Sequence, residues 1–400
     1  MKPACISETV LDRGVARTFS VAWCWFVIAA IFAVALRWLP MHAIEGWNIG
    51  YIRHAHSHIA FLGWVFNAFF AFALKLFIPF ERRRSFMWLF VFLQVTLVGM
   101  VVTFPFQGYA AGSIFFSTLH MIGSAIFAWW LWASPSVDKA ARPWLRMALF
   151  FMLISGVGPI LLGPLAVNDL RNHPAYTLAI YFYLHCQYNG WFILFLIAVV
   201  VHILAKKNFN LDTHTNQRAA GCFLWGVLLA YALSCLWVTS HWLVHSLALV
   251  SAGLQLYATW LLWPLLKHGL TQLTPTIRAI VLLPLVCFGL KLLLQSIAPL
   301  PVFSELAYHR FIAVAFMHLI FLGVVTPALW VGALQWQWLS FDLATKAGAA
   351  LFLLGTLATQ ISLVALPLFH LGGTFLVKGL FIYSLIILVG LLLNACRLQV

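Results

Sequence analysis

Apolar residues recur along this chain in runs of about 20, and polar residues gather in the short stretches between them. A run of that length, wound at about 1.5 Å per residue, crosses a hydrocarbon core of roughly 30 Å. Twelve such runs predict helices near residues 19–39, 56–78, 86–104, 112–133, 145–166, 175–204, 219–240, 244–266, 277–298, 308–333, 345–366 and 374–396. Pro79, Pro105, Pro135, Pro143, Pro275, Pro299 and Pro301 fall near the ends of these runs, where helices stop. Pro159 and Pro164 lie inside the fifth and predict a kink there. The expected fold is all-α: one polytopic membrane domain over residues 1–400, with short connections and the lipid bilayer as its surroundings.

Composition sharpens this. The chain is 64% hydrophobic and only 8% charged, which excludes an ordinary soluble domain. The first run follows a modest basic segment without a small-residue cleavage site, and reads as a retained helix. A net charge of +14 in a soluble protein would suggest nucleic acid. Here Lys2, Arg13 and Arg17, the arginines at 82–84, Lys139, Arg142 and Arg146 fall in alternate connections, as do Lys206, Lys207, Arg218, Lys267, Arg278 and Arg397. They orient the chain, with both termini expected in the cytoplasm of a bacterial-type inner membrane and no nucleic-acid partner. The seven cysteines show no CxxC spacing, and most sit inside apolar runs, where they read as small buried side chains.

With the sides assigned, the fifteen histidines divide unevenly. Only His202, His214 and His268 fall on the expected inner side. His42, His54, His56, His58, His120, His173, His185, His241, His245, His309, His318 and His370 fall in outer connections or outer halves of spans. The densest group is Tyr51–Trp64, YIRHAHSHIAFLGW, where three imidazoles precede an apolar run. On a helix His54 and His58 share a face and His56 points away. Imidazoles entering a membrane span need partners, so a heme or metal ligand is the sharper reading and headgroup hydrogen bonding the plainer one. His120, His185 and His318 each sit roughly 10–15 Å below the outer boundary, which looks like a layer.

Other residues extend the candidate chemistry. His185, Tyr188 and Asn189 share a face in span six, and imidazole with a nearby phenol suits copper or iron. His241 and His245 are four apart, a spacing suited to one metal. His318 has apolar neighbours, as an axial heme ligand does, and Arg310 could pair with a heme propionate. Gly63, Gly123, Gly190 and Gly323 each follow a histidine by three to five residues and permit close approach. No carboxylate lies in the middle of a predicted span, which weighs against a proton pump, and Lys291 is the clearest mid-span charge. No internal repeat is visible, and the histidine helices do not pair by halves.

Twelve spans, cytoplasmic termini and histidines on spans two, six, seven and ten make the chain resemble the catalytic subunit of heme-copper oxidases and nitric oxide reductases. The resemblance implies a low-spin heme, b-type, between one of His54, His56 or His58 and His318. It implies a second metal, copper or non-heme iron, on His185 with His241 or His245, and His120 is a further candidate ligand without a counterpart. Tyr188 resembles the family's tyrosine, shifted by one position. The family's His-x-His on span ten and its adjacent His-His after span seven are absent, so the low-spin heme is the better supported centre. The NnrS-like heme- and copper-binding proteins are a nearer resemblance. The activity implied is binding or reduction of nitric oxide or oxygen, with electrons from a quinol or a cytochrome, since the chain has no CxxCH. A transporter or receptor with a histidine-lined cavity, and a heme or copper assembly factor, are the competing expectations.

Overall fold

The computed structural model describes residues 8–369 and 374–399, so His370, Cys5 and Lys2 lie outside the described residues. Among the described residues there are helices and no strands, and twelve helices are long and apolar enough to cross a membrane. The spans are Arg13–Trp38, Ile49–Leu76, Phe80–Gln107, Ala111–Trp132, Arg142–Val167, Pro174–Lys206, Thr213–Cys235, Trp242–Thr271, Pro275–Ile297, Arg310–Gln335, Leu343–Leu368 and Val377–Ala395. The expected count and order hold. This is a multi-pass helical membrane protein.

Local sequence explains the boundaries. Span two starts seven residues earlier than its apolar run, because Asn48 caps it: the Asn48 side chain accepts from Gly50 and Tyr51 N–H. The histidine cluster is therefore wholly helical, not a lead-in to the helix. The fifth span breaks at Gly156, between helices Arg142–Ser155 and Val157–Val167, where Pro159 offers no N–H to the preceding turn. Span eleven is capped by Asp342, which accepts from Thr345 N–H at 2.9 Å. That bond, ahead of Arg397 nearby, holds the Asp342 carboxyl below its ordinary 3.8.

The chain forms two compact units, Met1–Ser136 with Leu329–Val400, and Val137–Ala328. The first has an aromatic core in which Phe26 stacks on Trp64 at 4.6 Å and Trp23 on Trp330 at 5.5 Å. Pairs of this kind are worth about 1 kcal/mol beyond their buried area.

A recurrence in thirds runs through the helices, contrary to the expectation of no internal repeat. His58, His185 and His318 stand at the ends of α-helical segments, and each is followed directly by a π-helical segment: Ile59–Phe66, Cys186–Phe192 and Leu319–Val325. A glycine stands five residues after each histidine: Gly63, Gly190 and Gly323. Each glycine lies against a side chain of the preceding span, Trp25, Phe151 and Cys287 respectively, at a distance no Cβ could tolerate. In the same way Gly99 of span three accepts Phe116 of span four, Gly226 accepts Gln255 of span eight, and Gly355 accepts Ile387 of span twelve. Spans 1–4, 5–8 and 9–12 thus repeat one four-helix pattern. The His-x4-Gly spacing was visible in the sequence, but residue similarity elsewhere is too slight to reveal the period.

Candidate functional site

In the first unit the histidines of span two take distinct directions. His56 turns to span one, where its Nδ1–H donates to the Ala29 carbonyl at 2.9 Å. His58 donates Nδ1–H to the His54 carbonyl one turn back, also at 2.9 Å. With Nδ1 protonated, Nε2 is the basic nitrogen of that ring, and it accepts from the Tyr109 hydroxyl at 3.3 Å. The rings of His54 and Phe104 complete the surround, His54 lying 4.6 Å from Tyr109 and Phe104 4.3 Å from His58. Tyr109 follows span three and went unnoticed in the sequence, being an ordinary aromatic at a membrane boundary.

His120 belongs to the same unit at a different depth. Thr96 of span three donates its hydroxyl to the Leu93 carbonyl at 2.7 Å and so accepts from His120 Nδ1–H at 2.8 Å. His120 Nε2 is buried without a partner, facing the Phe66 ring at 5.5 Å. Phe66 and Thr96 lie about two helical turns deeper than His58 and Phe104. The structure thus sets His58 and His120 at separate levels within this unit.

In the second unit His185 is buried and both its nitrogens are engaged. Nε2–H donates to the Val227 carbonyl at 2.8 Å, and Nδ1 accepts from Asn189 at 3.1 Å. Gln295 donates to Asn189 Oδ1 at 3.4 Å. One turn away on span nine, Lys291 donates to Gln255 Oε1 at 3.0 Å, and Gln255 in turn donates to the Gly226 carbonyl at 3.3 Å. Since Gly226 and Val227 are adjacent, these bonds form a ring through spans six, nine, eight and seven. Lys291 and Gln255 are completely buried, and His185, Asn189 and Gln295 nearly so. Gly226 makes the ring possible, because a side chain there would displace Gln255. Tyr188 stands beside the ring, its own ring centre 6.3 Å from that of His185. Gln255, Gln295 and Ser251 were missed in the sequence, yet the signal was there: uncharged amides inside long apolar runs need partners.

The remaining candidates have structural employment. His241 is the N-cap of span eight, accepting from Leu243 N–H at 3.2 Å. His173 and His309 do the same for spans six and ten, accepting from Ala175 at 3.2 Å and Phe311 at 3.4 Å. In each case Nδ1 replaces the oxygen of the usual Ser, Asn or Asp cap. His245 donates Nδ1–H to the Pro299 carbonyl. His318 is half-buried in the second unit, and Arg310 is exposed at the start of the same span. His185, His241 and His245 thus each have their own bonds, and among the described residues no group of three or more His, Cys, Asp or Glu is placed to hold a metal ion. If His241 acts as a cap, His241→Ser should keep the thermal midpoint while His241→Ala costs about 1 kcal/mol. Equal loss in both variants would show that the imidazole itself is needed.

No protein-family model matches the chain, and a search of curated proteins finds no match.

Proposed function

We propose that this chain is a membrane heme protein of heme-copper oxidase and nitric oxide reductase type, which binds nitric oxide or oxygen. The observation behind it is the histidine that heads a π-helical segment on spans two, six and ten. π-Helical turns are rare and concentrate at functional sites, and simple packing gives no reason for three, each headed by an imidazole.

Among the span-two histidines His58 supports this reading best. The His54 carbonyl fixes the tautomer and the ring direction, as second partners do for metal-bound imidazoles. Tyr109 now occupies Nε2 and is the group that would give way. His318 is the second ligand that the resemblance implies. A b-type heme held by His58 would supply a redox-active iron able to take up a diatomic gas. Electrons would come from a quinol or a cytochrome in a bacterial-type inner membrane. His185 has no free nitrogen, so no step is assigned to a second metal.

The test is the visible spectrum of the purified protein, oxidised and dithionite-reduced, before and after nitric oxide or carbon monoxide. Sharp reduced bands are expected, with a shift on adding gas if the iron keeps an open position. The buried polar ring of the second unit favours a second reading, a transporter or receptor with a histidine-lined interior. It requires protein that stays colourless after expression with ample heme. A heme assembly factor would instead lose its colour on dialysis against a heme acceptor.

A further inference from the structure

The hydrogen bonds of the buried ring leave an imbalance of donors. Lys291 carries three N–H groups and spends one on Gln255. Asn189, Gln255 and Gln295 each have two amide N–H groups and are each given one bond as donor. Against these, the buried acceptors without a partner are Gln295 Oε1 and Ser251 Oγ. The ring contains no carboxylate, and Phe288 presents an aromatic face 5.7 Å from Nζ. A buried ammonium is strongly disfavoured unless a counter-charge accompanies it. Two unspent N–H groups on Lys291 and one on each of three amides outnumber those two acceptors and are a match for an anion. A proton wire is the poorer explanation, because the links between Lys291 and His185 are amides, which do not titrate.

We propose that Lys291, with Gln255, Gln295 and Asn189, forms an intramembrane binding site for a small monovalent oxyanion of nitrite or carboxylate type. Lys291 supplies the charge and the amides supply directed N–H groups to a planar pair of oxygens. The oxyanion gives the ring its missing acceptors, and Ser251, one turn from Gln255 and fully buried, is the remaining hydroxyl at hand. The site does not rest on heme binding, and it is occupied whether or not the protein is coloured.

The test titrates full-length detergent-purified protein with sodium nitrite and with sodium formate at constant ionic strength, following the thermal midpoint. A saturable rise is expected with at least one of them. In Lys291→Gln, which keeps a donor for Gln255 Oε1 but carries no charge, affinity should fall at least tenfold. Gln295→Leu keeps the charge and should weaken binding severalfold, so it serves if Lys291→Gln does not fold. A response to nitrite alone marks an inorganic ligand, and a response to formate marks a carboxylate. No saturable rise in the parent protein, or an undiminished one in Lys291→Gln or Gln295→Leu, overturns the site.

Discussion

Gly190→Ala should destabilise this protein more than a single added methyl does at most other positions. Its Cβ would land on the ring and Cβ of Phe151, a completely buried side chain of the preceding span. Nothing at the end of a flexible chain can yield there, so the backbones of spans five and six must separate. Overpacking of this kind costs about 1–3 kcal/mol. Gly323→Ala should be milder, because its neighbour is the Cys287 sulfur at the tip of a short side chain. Gly253, with nothing within 4 Å, is the control, and alanine there should be neutral or better. Thermal unfolding of the three variants checks the order. Phe151→Ala alone opens a cavity, but combined with Gly190→Ala it should cost less than the sum. Strict additivity would mean that the two residues do not meet.

His58→Ala should lower the heme content of the purified protein by about tenfold or more, since loss of a ligand exceeds the 10–100-fold range seen for outer partners at its lower end. The argument is one of tautomer and direction: the His54 carbonyl takes Nδ1–H and leaves Nε2 as the ligating nitrogen. His56→Ala should change heme content little, because that ring faces Ala29 of span one. Tyr109→Phe removes the competitor for Nε2 and should not reduce heme. The measurement is heme absorbance per protein after extraction into alkaline pyridine. A His58→Ala protein with full heme would remove His58 from the ligand set, and a full complement in His318→Ala would remove the second ligand.

The residues themselves show why some of the site was legible and some was not. His58 and His185 stand out in sequence because an imidazole in an apolar run is costly without a partner, so its presence signals a bond of some kind. The kind of bond is a matter of neighbours. His241 and His245, at a spacing that suits a metal, turned out to bond a helix N-terminus and a proline carbonyl. Gln255 and Lys291 are 36 positions apart in the chain and meet across spans eight and nine, with Gly226 of span seven leaving room for the Gln255 side chain.

The sequence by itself determined the number, order and membrane-crossing length of the spans. Hydrophobic length is a local property, and the bilayer leaves backbone groups no alternative to a helix. It also determined which polar residues would need explaining. Tertiary structure alone decided which of them meet. A hydrogen bond such as that between His185 and Val227 depends on side-chain direction and on close approach at glycine, and neither can be read from spacing along one helix.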